Sequence, residues 1–332
     1  MIPPSMNYRF FSSVAAPGRT KPGPRLLGMT RRSFLASMAA TGPVVTSCQR
    51  AVAATTPPLL SFGLMADAQY VDAPPAGSRH YRASLGRLRE AIEHFNTRPL
   101  AFVVHLGDLI DRDWSSFDRV FEPLAASRHP VCQVLGNHDF DVADELKSRV
   151  PDRLGVPQRH HYFDRENFRF VILDTTEVST YAHPDDSPGR RAGEAELERV
   201  QAAGLRQAQS WNSGIGEGQL EWFESTCRDA QQGGRRVVVF AHHPVLPAGV
   251  HNLWNDDALL QALARQPNVI AWFNGHNHAG ALAQLGALQL ITLPGMVETA
   301  DTNAFAVVDL YPNRLVLTGH GRVPSREWDF SA

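Results

Sequence analysis

Five short polar clusters carry the residue types that could do chemistry: Asp67-Ala68-Gln69, Gly107-Asp108, Gly136-Asn137-His138-Asp139, His242-His243-Pro244 and Gly275-His276-Asn277-His278. Carboxylate, amide oxygen and imidazole are the hard-to-borderline donors that Mn2+ and Fe2+ accept, and no thiol is among them. Singly, each cluster has a plain structural reading, since an Asp after a strand commonly caps a helix and a buried His commonly satisfies itself in a core. Together they place Asp67, Gln69, Asp108, Asn137, His138, His242, His276 and His278 after a series of apolar runs. Gly107 and Gly136 allow close backbone approach, and Gly275 opens a turn before two histidines spaced i, i+2. In extended chain that spacing points both imidazoles to one side, and a local twist lets each reach a different ion of a pair. Two ions about 3.5–4 Å apart can share a carboxylate and a hydroxide, and so hold the attacking and leaving oxygens of an in-line phosphoryl displacement.

The elements that must position these groups follow from hydrophobic patterning. Apolar runs at 59–65, 100–106 and 131–135 read as buried strands, with an amphipathic helix over 80–96 and a second near 114–126 between them. Tyr81, Leu85, Leu88, Ile92 and Phe95 fall on one face of the first helix. This β-α-β-α-β order predicts a parallel sheet with crossover helices. Residues 161–174 read as a hairpin turning at Arg165-Glu166-Asn167, and 183–217 as a polar, cap-like insert with a helix over about 192–209. Helices over 218–231 and 258–265 alternate with strands over 236–241 and 269–273, and 282–318 is strand-rich with a hairpin near Pro312-Asn313. The expectation is α/β, two sheets with helices outside, and the polar clusters at the carboxyl edges of the strands, where α/β sheets build their sites.

The series D-x-(H/Q), GD, GNH(D/E), HxP and GHxH resembles the calcineurin-like metallophosphoesterase superfamily over nearly all of residues 59–318. The resemblance implies a four-layer αββα sandwich with a dinuclear metal site at its sheet edge. It implies that Asp67, Gln69, Asp108 and His278 hold one ion, and that Asp108, Asn137, His242 and His276 hold the second, with Asp108 bridging. His138 matches the non-ligand histidine that stabilises phosphoryl oxygens or protonates the leaving group, and Asp139 beside it is expected to orient that imidazole. His243 fills the variable position of HxP and is not counted as a ligand.

Gln69 departs from the usual D-x-H. An amide oxygen in place of an imidazole hardens that site, favouring Mn2+ over Fe or Zn. The chain is similar to the manganese-dependent ADP-ribose/CDP-alcohol diphosphatases, also through His80-Tyr81-Arg82-Ala83-Ser84-Leu85, Leu253-Trp254-Asn255, Gly295-Met296-Val297-Glu298-Thr299 and the stretch Gly319-His320-Gly321-Arg322-Val323-Pro324-Ser325-Arg326. That similarity implies hydrolysis of the pyrophosphate bond of NDP-X compounds such as ADP-ribose, CDP-choline or CDP-glycerol by a metal-bridging hydroxide, without a covalent enzyme intermediate. Tyr81, Arg82, Trp254 and Asn255 are the candidate substrate contacts, with core packing the alternative for Tyr81 and Trp254. Glu298 reads as a structural anchor, and Arg322 and Arg326 as a solvated face. The metal motifs alone leave open a phosphomonoesterase or cyclic-nucleotide phosphodiesterase of the same fold, and a non-catalytic exported nucleotide- or metal-binding lipoprotein.

The first 53 residues read as a leader. Thr30-Arg31-Arg32-Ser33-Phe34-Leu35 followed by a short apolar stretch has the layout of a twin-arginine export signal. Val45-Thr46-Ser47-Cys48 resembles a lipoprotein box that would acylate Cys48, and Ala51-Val52-Ala53 an ordinary cleavage site. The expectation is a periplasmic or membrane-anchored protein whose catalytic domain spans 54–332. Across all 332 residues, 32 Lys+Arg against 34 Asp+Glu give a net charge of −2, which argues against a protein that grips nucleic acid backbone. No apolar run reaches the 18 residues of a transmembrane helix, and three cysteines make no disulfide framework.

Overall fold

Apart from exposed Leu59 and half-buried Ser61, the apolar run at 59–65 is buried, and it forms the centre of a sheet. In the computed structural model, which describes residues 56–156 and 158–330, β1 (Leu60–Met65) pairs in parallel with β2 (Phe102–His105), and β2 with β3 (Val131–Gln133). Helices α1 (Ser84–Asn96) and α2 (Ser116–Ala125) make the crossovers. A short α3 (Val150–Arg153) leads to the hairpin β4 (His161–Arg165) and β5 (Phe168–Ile172). Then come α4 (Pro188–Ala202), α5 (Glu217–Gln232), β6 (Arg236–Phe240), α6 (Asp256–Ala264), β7 (Val269–Asn274), β8 (Ala281–Leu285) and β9 (Leu288–Thr292). The described chain closes with β10 (Ala304–Leu310), β11 (Arg314–Gly321) and β12 (Arg326–Asp329).

These strands make two six-stranded sheets, ordered β12-β11-β10-β1-β2-β3 and β4-β5-β6-β7-β9-β8. The first is parallel through β1, β2 and β3 at one edge and antiparallel through β1, β10, β11 and β12. The second is parallel in its middle, with β4 and β8 antiparallel to β5 and β9 at its edges. Parallel strands need a cover on both faces, and three buried clusters supply it. Between the sheets, Phe62, Phe102, Phe170, Phe240 and Phe273 interlock, with Phe62 stacked on Phe102 at 5.1 Å and edge-on to Phe170 at 5.8 Å. Leu88, Ile92 and Phe95 of α1 with Phe117 and Val120 of α2 cover the first sheet. Phe223 and Cys227 of α5 with Leu259 and Leu263 of α6 cover the second. The order of layers is αββα. Each fully buried Phe contributes about 1.5–3 kcal/mol over exposure, so the five rings between the sheets fix the spacing on which the site depends.

The insert helix differs from the sequence expectation. It starts at Pro188, where Ser187 Oγ accepts the Arg190 N–H at 3.1 Å and proline occupies the first turn, and it ends before Gly204, which has φ +66°. Both limits thus lie earlier in the chain than the expected 192–209, because the Ser187 cap and Gly204 set them. Among the described residues no helix is long and apolar enough to cross a membrane. The expected twin-arginine signal, the expected lipoprotein box at Cys48 and the competing cleavage site lie outside the described residues.

Candidate dinuclear metal centre

All five polar clusters follow the carboxyl ends of strands: β1 for Asp67 and Gln69, β2 for Asp108, β3 for Asn137 and His138, β6 for His242, β7 for His276 and His278. The sharp exits need unusual backbone. Asp67, Gln69, Asp108 and His276 have φ of +53°, +43°, +57° and +66°, a left-handed conformation that costs a non-glycine residue on the order of 1 kcal/mol or more and clusters at functional sites. Gly107 has φ +94° and Gly136 packs so tightly that an added Cβ would collide with the backbone N and carboxylate of Asp108. The left-handed turn at His276 also explains how the two histidines of this cluster part company. The segment is not extended, so His276 faces His242 while His278 faces Asp67.

Asp108 is the centre. Its Oδ1 accepts the His138 N–H at 2.8 Å, and its Oδ2 lies 2.9 Å from Gln69 Nε2 and 3.4 Å from His242 Nε2. On one side, Asp67 Oδ1 is 3.6 Å from His278 Nε2. On the other, His242 Nε2 is 3.1 Å from Asn137 Oδ1 and 3.2 Å from His276 Nδ1. Candidate ligand atoms of Asp67, Asp108 and His278 lie within 4.8 Å of one another, as do those of His242, His243 and His276. The sequence-expected donors thus fall into two groups flanking one carboxylate. His243 adjoins the second group, but its Nδ1 is 2.9 Å from Thr175 Oγ1, so it belongs to the wall.

Three observations show that this donor set fits cations. The first is the histidine tautomers. His242 Nδ1 donates to Leu106 O at 2.8 Å, His276 Nε2 donates to Asn212 Oδ1 at 2.8 Å, and His278 Nδ1 donates to Glu298 Oε1 at 2.7 Å. Each ring therefore turns its remaining lone pair toward the cluster, the arrangement outer partners impose on metal-binding histidines. The facing lone pairs of His242 and His276 repel unless a positive charge stands between them. Second, Gln69 Oε1 is buried with no partner; turned toward Asp108 it would face a carboxylate, an arrangement only a cation makes favourable. Third, the local field favours positive charge. Burial opposes protonation of His242, yet Asp108 beside it carries it up to about 9. Burial likewise opposes protonation of His278, and Asp67 and Glu298 carry it up to about 9. The hydrogen bond from His278 holds Glu298 down at about 2, against its partial burial.

His138 stands at the open side of the cluster, its side chain 24% exposed. Its Nδ1 is 3.0 Å from Asp111 O and 3.6 Å from Asp111 Oδ1. The expectation that Asp139 orients this ring is corrected: the Asp139 carboxylate accepts backbone N–H groups of Asp108 (3.1 Å), Leu109 (2.9 Å), Ile110 (3.4 Å) and Gly136 (2.9 Å). The short 3-10 turn at His138–Phe140 sends the two side chains different ways. Burial and the charge of Asp108 push Asp139 up to about 7 despite those N–H groups.

The four candidate substrate contacts fall outside the donor cluster. Trp254 is fully buried and its indole N–H donates to Gln209 O at 3.0 Å, so it packs rather than stacks a base. Asn255 clamps the insert, accepting the Ile215 N–H at 3.2 Å and donating to Ile215 O at 2.8 Å. Tyr81 is buried against Val71 and Val297, and Arg82 pairs on the surface with Asp72 at 2.6 Å. Arg322 is not on a solvated face: it donates to Gly295 O, and Arg87 donates to Met296 O at 2.6 Å and Ala300 O at 3.1 Å, so both arginines hold the loop that carries Glu298. Sequence reasoning missed Asp111 and the role of Asn212. The first had a signal in its position three residues after Asp108 in the strand-end turn.

The αββα sandwich with this donor set defines a metallophosphoesterase. The sequence profile described as calcineurin-like phosphoesterase matches residues 61–280, and the chain belongs to that family. It is a metal-dependent hydrolase with donors arranged for two ions. Among curated relatives, the manganese-dependent ADP-ribose/CDP-alcohol diphosphatase of Danio rerio is 30% identical over 312 residues, covering 80% of this chain and 97% of that protein. The Arabidopsis thaliana protein of the same name is 28% identical, over 82% of this chain and 97% of its own length. A dimetal phosphatase structure from Danio rerio superposes with a TM-score of 0.75 at 28% identity, covering 82% of this chain and all of that one.

Proposed function

We propose that this enzyme hydrolyses the phosphoric anhydride bond of nucleoside diphosphates esterified to an alcohol or sugar, with Mn2+ as its metal. The observation that carries the reading is Asp108, a single carboxylate with donor groups on both flanks and His138 at the open side. Asp67, Gln69, Asp108 and His278 would hold one ion, and Asp108, Asn137, His242 and His276 the other. Bound there, such a pair supplies Lewis acidity and a hydroxide at neutral pH. The protein's own part is to fix the donors through Leu106, Asn212 and Glu298. His138 faces the open side, where its ring can donate a hydrogen bond to a phosphoryl oxygen or a proton to the departing phosphate, with Asp111 behind it. The substrate class rests on similarity to relatives named for ADP-ribose and CDP-alcohols across almost their whole length.

Purified protein reconstituted with Mn2+ and assayed on ADP-ribose, CDP-choline, a cyclic nucleotide and p-nitrophenyl phosphate tests the reading. Release of nucleoside monophosphate from the first two, at rates well above the others, is expected. Preference for the monoester or the cyclic nucleotide would reassign the substrate class. Metal uptake with no hydrolysis of any of the four would make the chain a binding protein.

The twin-arginine layout of residues 30–35 and the box ending at Cys48 support export and a lipid anchor. Replacing Arg31 and Arg32 by Lys should retain the precursor in the cytoplasm, and Cys48→Ser should move the exported protein from the membrane to the soluble fraction.

A further inference from the structure

We infer that Asn212 is a positioning residue that ties the second metal group to the rim of the site, by fixing which nitrogen of His276 faces the ions. The inference rests on the dinuclear reading above and adds to it how the insert takes part. Asn212 is fully buried, and every polar atom of its amide is engaged. Nδ2 donates to Gln207 O at 2.9 Å and to Val250 O at 2.6 Å. Carbonyl oxygens only accept, so these two bonds fix the amide orientation and leave Oδ1 for His276 Nε2, at 2.8 Å. An amide oxygen also only accepts, so His276 must carry its proton on Nε2. Its lone pair is then on Nδ1, 3.2 Å from His242 Nε2, where the second group converges.

The three candidate ligand imidazoles are oriented by three different means. A backbone carbonyl at the end of β2 holds His242, and the Glu298 carboxylate holds His278. His276 alone of the three depends on a neutral side chain from the segment between α4 and α5. That same side chain pins two stretches of chain, the turn at Gln207 and the loop after β6 at Val250. An Asn suits all three bonds at once. An Asp would still accept from His276 but would set a carboxylate against two carbonyl oxygens, and an Ala would leave all three partners unmatched. The order of the rim and the presentation of His276 are therefore one hydrogen-bond network, and loss of the outer partner of a metal-binding His commonly costs 10- to 100-fold in metal affinity.

The test is Mn2+ binding by the full chain, followed calorimetrically without substrate, for wild type, N212A and N212D. Melting temperatures in EDTA and circular dichroism serve as controls for folding. Wild type should take up two ions. N212A should hold one of them about 10- to 100-fold more weakly, with the other unchanged. N212D should keep both within a few-fold while amide hydrogen exchange quickens in segments 205–215 and 246–255, because the acceptor for His276 survives and the donors to the rim do not. Two equally tight ions in N212A would overturn the role of Asn212 and leave the dinuclear reading intact. A wild type that takes up no Mn2+ would overturn the dinuclear reading itself. Should N212A fail to fold, N212D decides: retention of both ions together with quickened exchange in 205–215 and 246–255 supports the inference, and loss of one ion or unchanged exchange refutes it.

Discussion

His138 Nδ1 sits 3.0 Å from the backbone oxygen of Asp111 and 3.6 Å from its carboxylate, and the same carboxylate meets Arg112 Nη1 at 2.5 Å. The ring is therefore gripped through Nδ1, which leaves Nε2 for whatever occupies the open side of the centre. His138→Ala should retain both Mn2+ ions and lose at least about a hundredfold in kcat, as removal of one positioned charge-stabilising donor does. Asp111→Asn should fall between that variant and wild type, because the backbone acceptor remains. Metal content and single-turnover rates check both. Near-normal turnover in His138→Ala would remove this histidine from the chemistry.

As a ligand of the first ion, Gln69 would offer an amide oxygen, a harder donor than imidazole. EDTA should abolish activity, and Mn2+ should restore it better than Zn2+. In Gln69→His the ratio of Mn2+- to Zn2+-supported activity should drop by about tenfold, the lower end of what altered ligand surroundings do to metal affinity. Titration of the EDTA-treated protein with each metal measures this. A higher Mn2+ preference in the variant would undo the hardness argument.

Asp139 is the acceptor for four backbone N–H groups that shape the Gly107-Asp108 and Gly136-Asn137 turns. Asp139→Ala leaves those buried donors unmatched, at a cost of about 3 kcal/mol, which in a domain of this size lowers Tm by roughly 5 °C. Asp108 and Gly136 would shift with the turns, so Mn2+ binding should weaken as well. A residue that merely oriented His138 would leave Tm and metal binding untouched, and thermal melts in the presence and absence of Mn2+ separate the two roles.

The convergence of the candidate donor residues was legible in sequence because each follows a continuous apolar strand and each has a side chain with ligand chemistry; order along the chain then mapped onto order along the sheet edges. What holds those donors was much less legible. Asp139 is the sequence neighbour of His138, but the 3-10 turn separates them, and the ring finds Asp111 from a different strand end. Trp254 and Arg322 carry side chains that suit a ligand site, and tertiary packing spends them on Gln209 O and Gly295 O instead. Asn212 lies 64 positions from His276, a pairing that no local pattern encodes. The strands, set by period and apolar content, survived into the fold, whereas the limits of α4 were set by Ser187 and Gly204, two local stops inside a polar stretch.

His105, the last residue of β2, is fully buried with neither ring nitrogen partnered. Burial lowers its pKa to about 4, with Asp67 and Asp108 opposing the shift and His242 adding to it. In the unfolded chain the same ring titrates near 6.5. Between those values the unfolded state binds the proton and the folded state does not, so stability rises with pH through this window and falls as the medium is acidified below about 6.5. That difference corresponds to about 3 kcal/mol lost by pH 4, beyond whatever the site carboxylates and histidines contribute. His105→Leu, close in volume and without a titrating group, should remove that component. Urea or thermal unfolding of both proteins in EDTA from pH 7.5 to 4.5 should therefore give a shallower pH dependence for the variant, with the two curves parting only below about pH 6.5. Parallel curves throughout would mean that the folded chain accommodates the His105 proton, and that its acid sensitivity originates at the donor cluster alone.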